Sequence, residues 1–193
     1  AISFSQPIQS YGFKDKQQST YKGFWRRFNQ YENFPEMAGR EVVSYFHFNT
    51  TENPTLLVKV ALSGVSTEGA LKNLKAEAEG KTFKALTQEA SAQWNKALSK
   101  LQIEGTDDDK AMLYTSFYHT LINPSVYMDV DGKYRGLDHN IHQADGFTNY
   151  TIFSLWDTYR AEHPFLNLFF PAQDRDMVKS MIAHQQQSVH HML

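Results

Sequence analysis

Trp156, Asp157 and Arg160 fall within the segment Phe153-Ser154-Leu155-Trp156-Asp157-Thr158-Tyr159-Arg160-Ala161-Glu162-His163-Pro164. An indole can stack on the C–H face of a sugar, and a carboxylate can accept hydrogen bonds from two neighbouring hydroxyls. A guanidinium supplies a rigid fork of donors that can hold the carboxylate or reach a ligand oxygen. Together these groups form the equipment of a polyol site. The plainer reading is a core Trp at a helix start, with Asp157 and Arg160 paired three residues apart on one helix face. Spacing alone leaves both readings open.

Other clusters carry less. Asp129-Val130-Asp131-Gly132 resembles the opening of a calcium loop, since carboxylates two residues apart can converge on one hard cation. The later acidic ligand is missing, because position 140 is Asn140 and Asp138 falls short, so Asp131-Gly132 reads as a hairpin turn. His184, His190 and His191 lack the i, i+4 spacing of a helical zinc pair and read as solvated or packed side chains. His139 and His142 fall in a predicted loop, where they are freer to meet a ligand, but their spacing selects no metal. Asp107, Asp108 and Asp109 follow Thr106 and are explained as the acidic first turn of a capped helix. No Gly-rich phosphate loop and no Gly-x-Ser-x-Gly elbow is present. No residue is assigned as a catalytic group or as a metal ligand.

Composition narrows the classes. The 193-residue chain contains no cysteine, which excludes disulfides, thiolate metal sites and cysteine nucleophiles. A formal net charge of −2 argues against nucleic acid as a partner, and the densest basic spot, Trp25-Arg26-Arg27, is too small to track phosphates. No apolar run reaches membrane-spanning length. Aromatic residues make up 14% of the chain, enough to furnish stacking surfaces besides a core.

The elements that must position these residues change character along the chain. Segments 1–5, 24–28, 41–48 and 55–62 read as strands, with 42–48 and 56–62 predicted to close a hairpin across the loop 49–54. From Ser66 the period becomes helical. A short helix begins at Thr67, Gly80 breaks it, and a second helix presents Phe83, Leu86, Ala90, Trp94, Ala97, Leu98 and Leu101 on one face. Thr106 caps a third helix that stops by Asn123-Pro124. A hairpin is predicted between 126–130 and 133–136, then a strand near 149–153 leads into the Trp-Asp segment. A last helix begins beyond Pro171 and shows no stop signal before Leu193. The chain begins without Met, and both ends cut through predicted elements, so it is expected to be an internal piece of a longer protein.

Several linked segments resemble one family in order and spacing. They are Ser63-Gly64-Val65-Ser66-Thr67-Glu68-Gly69-Ala70, Trp94-Asn95, Tyr114-Thr115-Ser116-Phe117-Tyr118-His119-Thr120, Asp129 to Gly136, Phe153 to Ala161, and His163-Pro164. This order resembles the calcium-dependent exo-α-mannosidases of glycoside hydrolase family 92, over nearly the whole chain from about residue 40.

The resemblance implies an α+β chain: the end of an N-terminal β-sandwich in 1–65, a helical linker in 66–104, and the first helices of an α/α toroid in 105–193. It implies that Trp156 and Asp157 line the pocket for a terminal mannose, with Arg160 and Asp138 supporting or bordering it. The implied reaction is inverting hydrolysis of terminal α-linked mannose, α-1,2 in preference, from a mannose-containing glycan. Calcium would act as cofactor through ligands mainly downstream of this chain. The catalytic acid and base would also lie downstream, leaving the 193-residue piece inert by itself and dependent on the remainder of the polypeptide as a partner. A periplasmic or cell-surface bacterial location follows from the same resemblance. Two alternatives stand beside it: another α/α-toroid glycosidase of trehalase-like or glucoamylase-like type, and a non-catalytic carbohydrate-binding segment.

Overall fold

The structure is a computed structural model that describes residues 1–15 and 41–188. The predicted strand 24–28, the Trp25-Arg26-Arg27 spot, His190, His191 and Leu193 lie outside the described residues. Mixed α and β content is observed, with four two-stranded sheets and six helices among the described residues. Two compact units form, Ile2–Val60 and Ala61–Leu193, the latter including Ala1.

The first unit contains β1 (Ile2–Phe4), β2 (Ser10–Asp15), β3 (Val42–His47) and β4 (Val58–Val60). The predicted hairpin between the last two does not form. β3 pairs antiparallel with β2, and β4 pairs antiparallel with β1. Side chains near β1 explain the exchange of partners. Ser5 Oγ accepts from Leu57 N at 2.9 Å, and Gln6 Nε2 donates to the carbonyls of Asn53 and Thr55 at 2.8 Å. Those bonds draw 53–57 toward the start of the chain. β2 escapes the sequence reading because Gly12 interrupts its alternation. Gly12 lies opposite Tyr45 in the register, and a Cβ there would collide with the Tyr45 ring. Phe4 meets Phe46 and Phe48, each at 5.0 Å between ring centroids, forming an aromatic cluster on this unit.

In the second unit the helices begin where local chemistry dictates. Ser66 caps α1 (Thr67–Ala78), its side chain accepting from Gly69 N at 3.0 Å, and Gly80 ends the segment at φ +71°. Thr82 caps α2 (Phe83–Leu98) through Ala85 N. Thr106 and Asp109 form a reciprocal capping box at the head of α3 (Asp107–Thr120), a device worth about 1 kcal/mol. The Thr106 hydroxyl and amide also hold the Asp109 carboxyl below its ordinary pKa.

Four short strands follow: β5 (Ser125–Val126), β6 (Lys133–Arg135), β7 (Ile141–Gln143) and β8 (Tyr150–Thr151). The predicted pairing of 126–130 with 133–136 is replaced by β5 with β8 and β6 with β7. The Asp131-Gly132 turn does exist, with Gly132 at φ +81° and Gly132 N bonded to Asp129 O at 2.8 Å. It does not extend into a ladder, since Val126 is already opposite Tyr150 and the Asp129 side chain turns inward.

Three helices complete the unit: α4 (Leu155–Thr158), α5 (Glu162–Phe169) and α6 (Pro171–Gln187), the last with Pro at its first position. The core joins Phe117, Tyr150, Leu166, Phe170 and Met177, with Ala97, Leu98, Leu101 and Phe165 packed against it. Burying a side chain such as Phe117 or Leu166 contributes roughly 2–3 kcal/mol. The periodic face of α2 is only partly used. Phe83 stays 73% exposed, whereas Trp94 meets the Tyr118 ring at 4.5 Å.

Two buried polar networks tie α1 and α6 to the strands. Asp129 accepts from Ser63 Oγ at 2.7 Å and from Asn73 Nδ2 at 2.8 Å, while Asn73 Oδ1 accepts from Val130 N at 2.9 Å. On α6, Ser180 Oγ accepts from Tyr150 N at 3.0 Å and donates to Asp176 O at 2.7 Å. His184 Nε2 donates to Asn149 Oδ1 at 3.0 Å, and Asn149 Nδ2 donates to Tyr127 O at 2.8 Å. These bonds set α6 against β8, the strand that leads into the Trp-Asp turn.

Candidate functional site

α4 is a single turn carrying Trp156 and Asp157 between β8 and α5. Asp157 N bonds Ser154 O at 3.0 Å, and Tyr159 N bonds Leu155 O at 3.1 Å. Ser154 stands at the N-cap position without capping a backbone amide. Its hydroxyl donates to Asp157 Oδ2 at 2.6 Å, which fixes the carboxylate rotamer. No hydrogen bond to Asp157 Oδ1 is made among the described residues.

Trp156 is 89% exposed, so it does not pack into a core among the described residues. The internal Asp157–Arg160 pair does not form either. Arg160 Nε donates to Tyr159 Oη at 2.6 Å, and its guanidinium carbon lies 5.4 Å from the centroid of that ring. Asp157 and Arg160 are thus each oriented by a different neighbour and are both exposed. An exposed indole, a carboxylate with one oxygen engaged, and a guanidinium stacked on a tyrosine are arranged as a surface that can meet a ligand. Glu162, at the start of α5, has its carboxyl raised by burial, opposed by the nearby His163.

The sequence reading gives no part to Ser154 or Tyr159. The signal for Ser154 is the Ser-x-x-Asp spacing, which places its hydroxyl one turn from the Asp157 carboxylate. Here the serine serves that carboxylate.

Asp138 belongs to a different element, the loop joining β6 to β7. It accepts from Asn140 N and Asn140 Nδ2 at 3.0 Å and from His142 Nε2 at 3.0 Å. Those hydrogen bonds, led by Asn140 and partly opposed by burial, bring its carboxyl down to about 2. His139 beside it takes a left-handed backbone at φ +63°, and its carbonyl accepts from Arg135. No contact joins Asp138 to Trp156, Asp157 or Arg160 among the described residues. The turn therefore brings three of the four expected residues together, and Asp138 sits in a separately organised loop.

Among the described residues, no three His, Asp or Glu side chains gather where they could hold a metal ion. Asp129, considered above as a calcium-loop residue, is buried and engaged by Ser63 and Asn73. Asp131 is paired with Lys72 at 2.9 Å. Among the described residues, Asp129 and Asp131 are therefore not arranged to share a calcium ion.

Residues 69–192 match the family model described as the Glycosyl hydrolase family 92 catalytic domain. Among solved structures, the chain is similar to a family GH92 alpha-mannosidase from Bacteroides thetaiotaomicron. Identity is 36% and the TM-score 0.82, with 100% of this chain and 25% of that chain covered. The same enzyme in complex with mannoimidazole gives 36% identity and a TM-score of 0.81 over the same shares. A family GH92 inverting mannosidase from Bacteroides thetaiotaomicron gives 26% identity and a TM-score of 0.82, over 97% of this chain and 24% of that one. No curated protein matches. The chain spans about a quarter of the length of these solved structures.

Proposed function

The chain belongs to glycosyl hydrolase family 92, and from that premise we propose that the full-length protein is an inverting exo-α-mannosidase. It removes terminal α-linked mannose from glycans, with α-1,2 linkages preferred. The observation that carries this reading is the 89% exposed indole of Trp156 beside an Asp157 carboxylate already oriented by Ser154. Trp156 offers the C–H face of the terminal mannose a stacking surface. Asp157 accepts from its hydroxyls, Arg160 supports that wall, and Asp138 borders it.

Inversion needs an acid to protonate the leaving oxygen and a base to activate water, with the two carboxyl groups roughly 6.5–9.5 Å apart. Neither role is assigned to a residue of this chain. The acid, the base and the principal calcium ligands are assigned to later sequence, where calcium would contact sugar hydroxyls and help distort the ring. Residues 1–65 are read as the end of a β-sandwich, 66–104 as a linker and 105–193 as the start of an α/α toroid. The piece 1–193 by itself is accordingly inert. No helix among the described residues is long and apolar enough to cross a membrane. A periplasmic or cell-surface location is the one that suits glycan foraging.

The test is a substrate panel on the full-length protein, comparing α-mannosides with α-glucosides before and after chelation. The expected result is mannose release that chelation abolishes. Preference for α-glucosides, or binding without cleavage, would overturn the proposal.

A further inference from the structure

A further, part-buried polar cluster lies immediately after the Trp-Asp turn. His163 Nδ1 and Asp174 Oδ1 are 2.8 Å apart, and Asn167 Nδ2 donates to Asp174 Oδ2 at 3.1 Å. Asp174 is 7% exposed although it stands in the first turn of α6. Its carboxylate can only accept, so His163 Nδ1 donates. His163 Nε2 is buried and has no hydrogen-bond partner among the described residues.

The local helices show what the cluster holds. α4 is four residues long, too short to persist on its own hydrogen bonds. Only Tyr159, Arg160 and Ala161 separate it from α5. Neither helix is anchored at its start by a side-chain cap, since Ser154 serves Asp157 and Ala161 has no capping group. Leu166 and Phe165 press α5 into the core, but apolar packing is non-directional and leaves rotation of the first turn poorly fixed. The His163–Asp174 bond supplies the missing direction at the second residue of α5.

We propose that His163, held by Asp174 and Asn167, is a positioning residue for Trp156 and Asp157. It fixes the first turn of α5 against α6 and thereby sets where the sugar-binding turn stands. This inference rests on the reading of Trp156 and Asp157 as the wall of a mannose site.

Steady-state kinetics of full-length variants on an aryl α-mannoside test it. His163→Ala is expected to raise KM on the order of tenfold or more, with kcat per folded molecule changed much less. His163→Asn places an amide nitrogen near the Nδ1 position and is expected to restore the wild-type KM, whereas His163→Gln is not. Asp157→Ala serves as the control. An unchanged KM for Asp157→Ala overturns the sugar-wall reading, and the positioning role with it. A raised KM for Asp157→Ala beside an unchanged KM for His163→Ala overturns the positioning role alone. So does a fall in kcat at constant KM, the mark of lost folded enzyme. Where His163→Ala does not fold, equal KM values for the Asn and Gln variants overturn the proposal, and wild-type KM for Asn alone supports it.

Discussion

Asn73 Nδ2 donates to Asp129 Oδ1 at 2.8 Å across 56 positions of sequence, and both residues are buried. Asn73 is also bonded to Leu62 O and Val130 N, so a single amide joins α1, the preceding loop and the turn before β6. Replacing Asn73 with Leu would leave a buried carboxylate supported, among the described residues, by the Ser63 hydroxyl alone. We expect Asn73→Leu to cost about 3 kcal/mol, read as lost hydrogen-exchange protection of the α1 amides in the full-length protein. Unchanged α1 protection would show that the carboxylate is satisfied in another way.

Gly69 makes a sharper case, because its expected effect has the opposite sign to the general rule. Alanine normally stabilises a helix interior over glycine by about 1 kcal/mol. At Gly69 a Cβ would run into Asp129 Oδ2, with Ser63 Oγ at 2.8 Å. Gly69→Ala should therefore lower the midpoint of thermal unfolding. A midpoint raised or unchanged would mean that Asp129 can retreat without loss.

Trp156 predicts a separation of binding from stability. With 89% of the residue exposed, little packing is lost on truncation within this unit. Trp156→Ala should shift stability by less than about 0.5 kcal/mol while weakening mannoside binding by about tenfold, in line with the worth of an aromatic platform. Calorimetric titration beside a thermal melt reads both quantities. A large stability loss with intact affinity would return Trp156 to a structural part.

His184 gives the chain a pH dependence with a definite sign. Burial pushes its imidazole pKa below the ordinary value, so the neutral form is favoured in the fold. As pH falls through the unfolded value of about 6.5, the unfolded chain takes up the proton first. The contribution is thus complete above about 6.5 and is lost as pH falls toward the lower folded pKa. Gln at this position can still donate to Asn149 Oδ1 but does not titrate. The melting temperature should fall less between pH 7 and pH 5 in His184→Gln than in the wild type, the range being set by the ordinary histidine value of about 6.5. Parallel slopes would remove His184 from the account.

What could be read from the sequence was chiefly local. Thr106 and Gly80 are legible because a cap or a positive φ is decided by a few adjacent residues, and Ser66 is legible only as the point where the period changes. The α3 capping box explains Asp107–Asp109 without any tertiary knowledge. Strand partners were not legible in this way. β3 and β4 are adjacent in sequence with a polar loop between them, yet Ser5 and Gln6 bind 53–57 from some fifty residues away. Asp129 and Asp131 look alike in sequence, and only the fold turns one toward Asn73 and the other toward Lys72. At the site, the types of Trp156, Asp157 and Arg160 were informative, but their pairing was not. Ser154 and Tyr159 captured the groups that spacing alone would have joined to each other.

In the proposed function this chain helps to hold the sugar while later sequence breaks the glycosidic bond with inversion. Proton NMR of the full-length protein acting on an aryl α-mannoside tests it most directly. With inversion, free mannose appears first as the β anomer, equilibrating later with the α form. Appearance of the α anomer first, or no release of mannose by folded full-length protein, would contradict it.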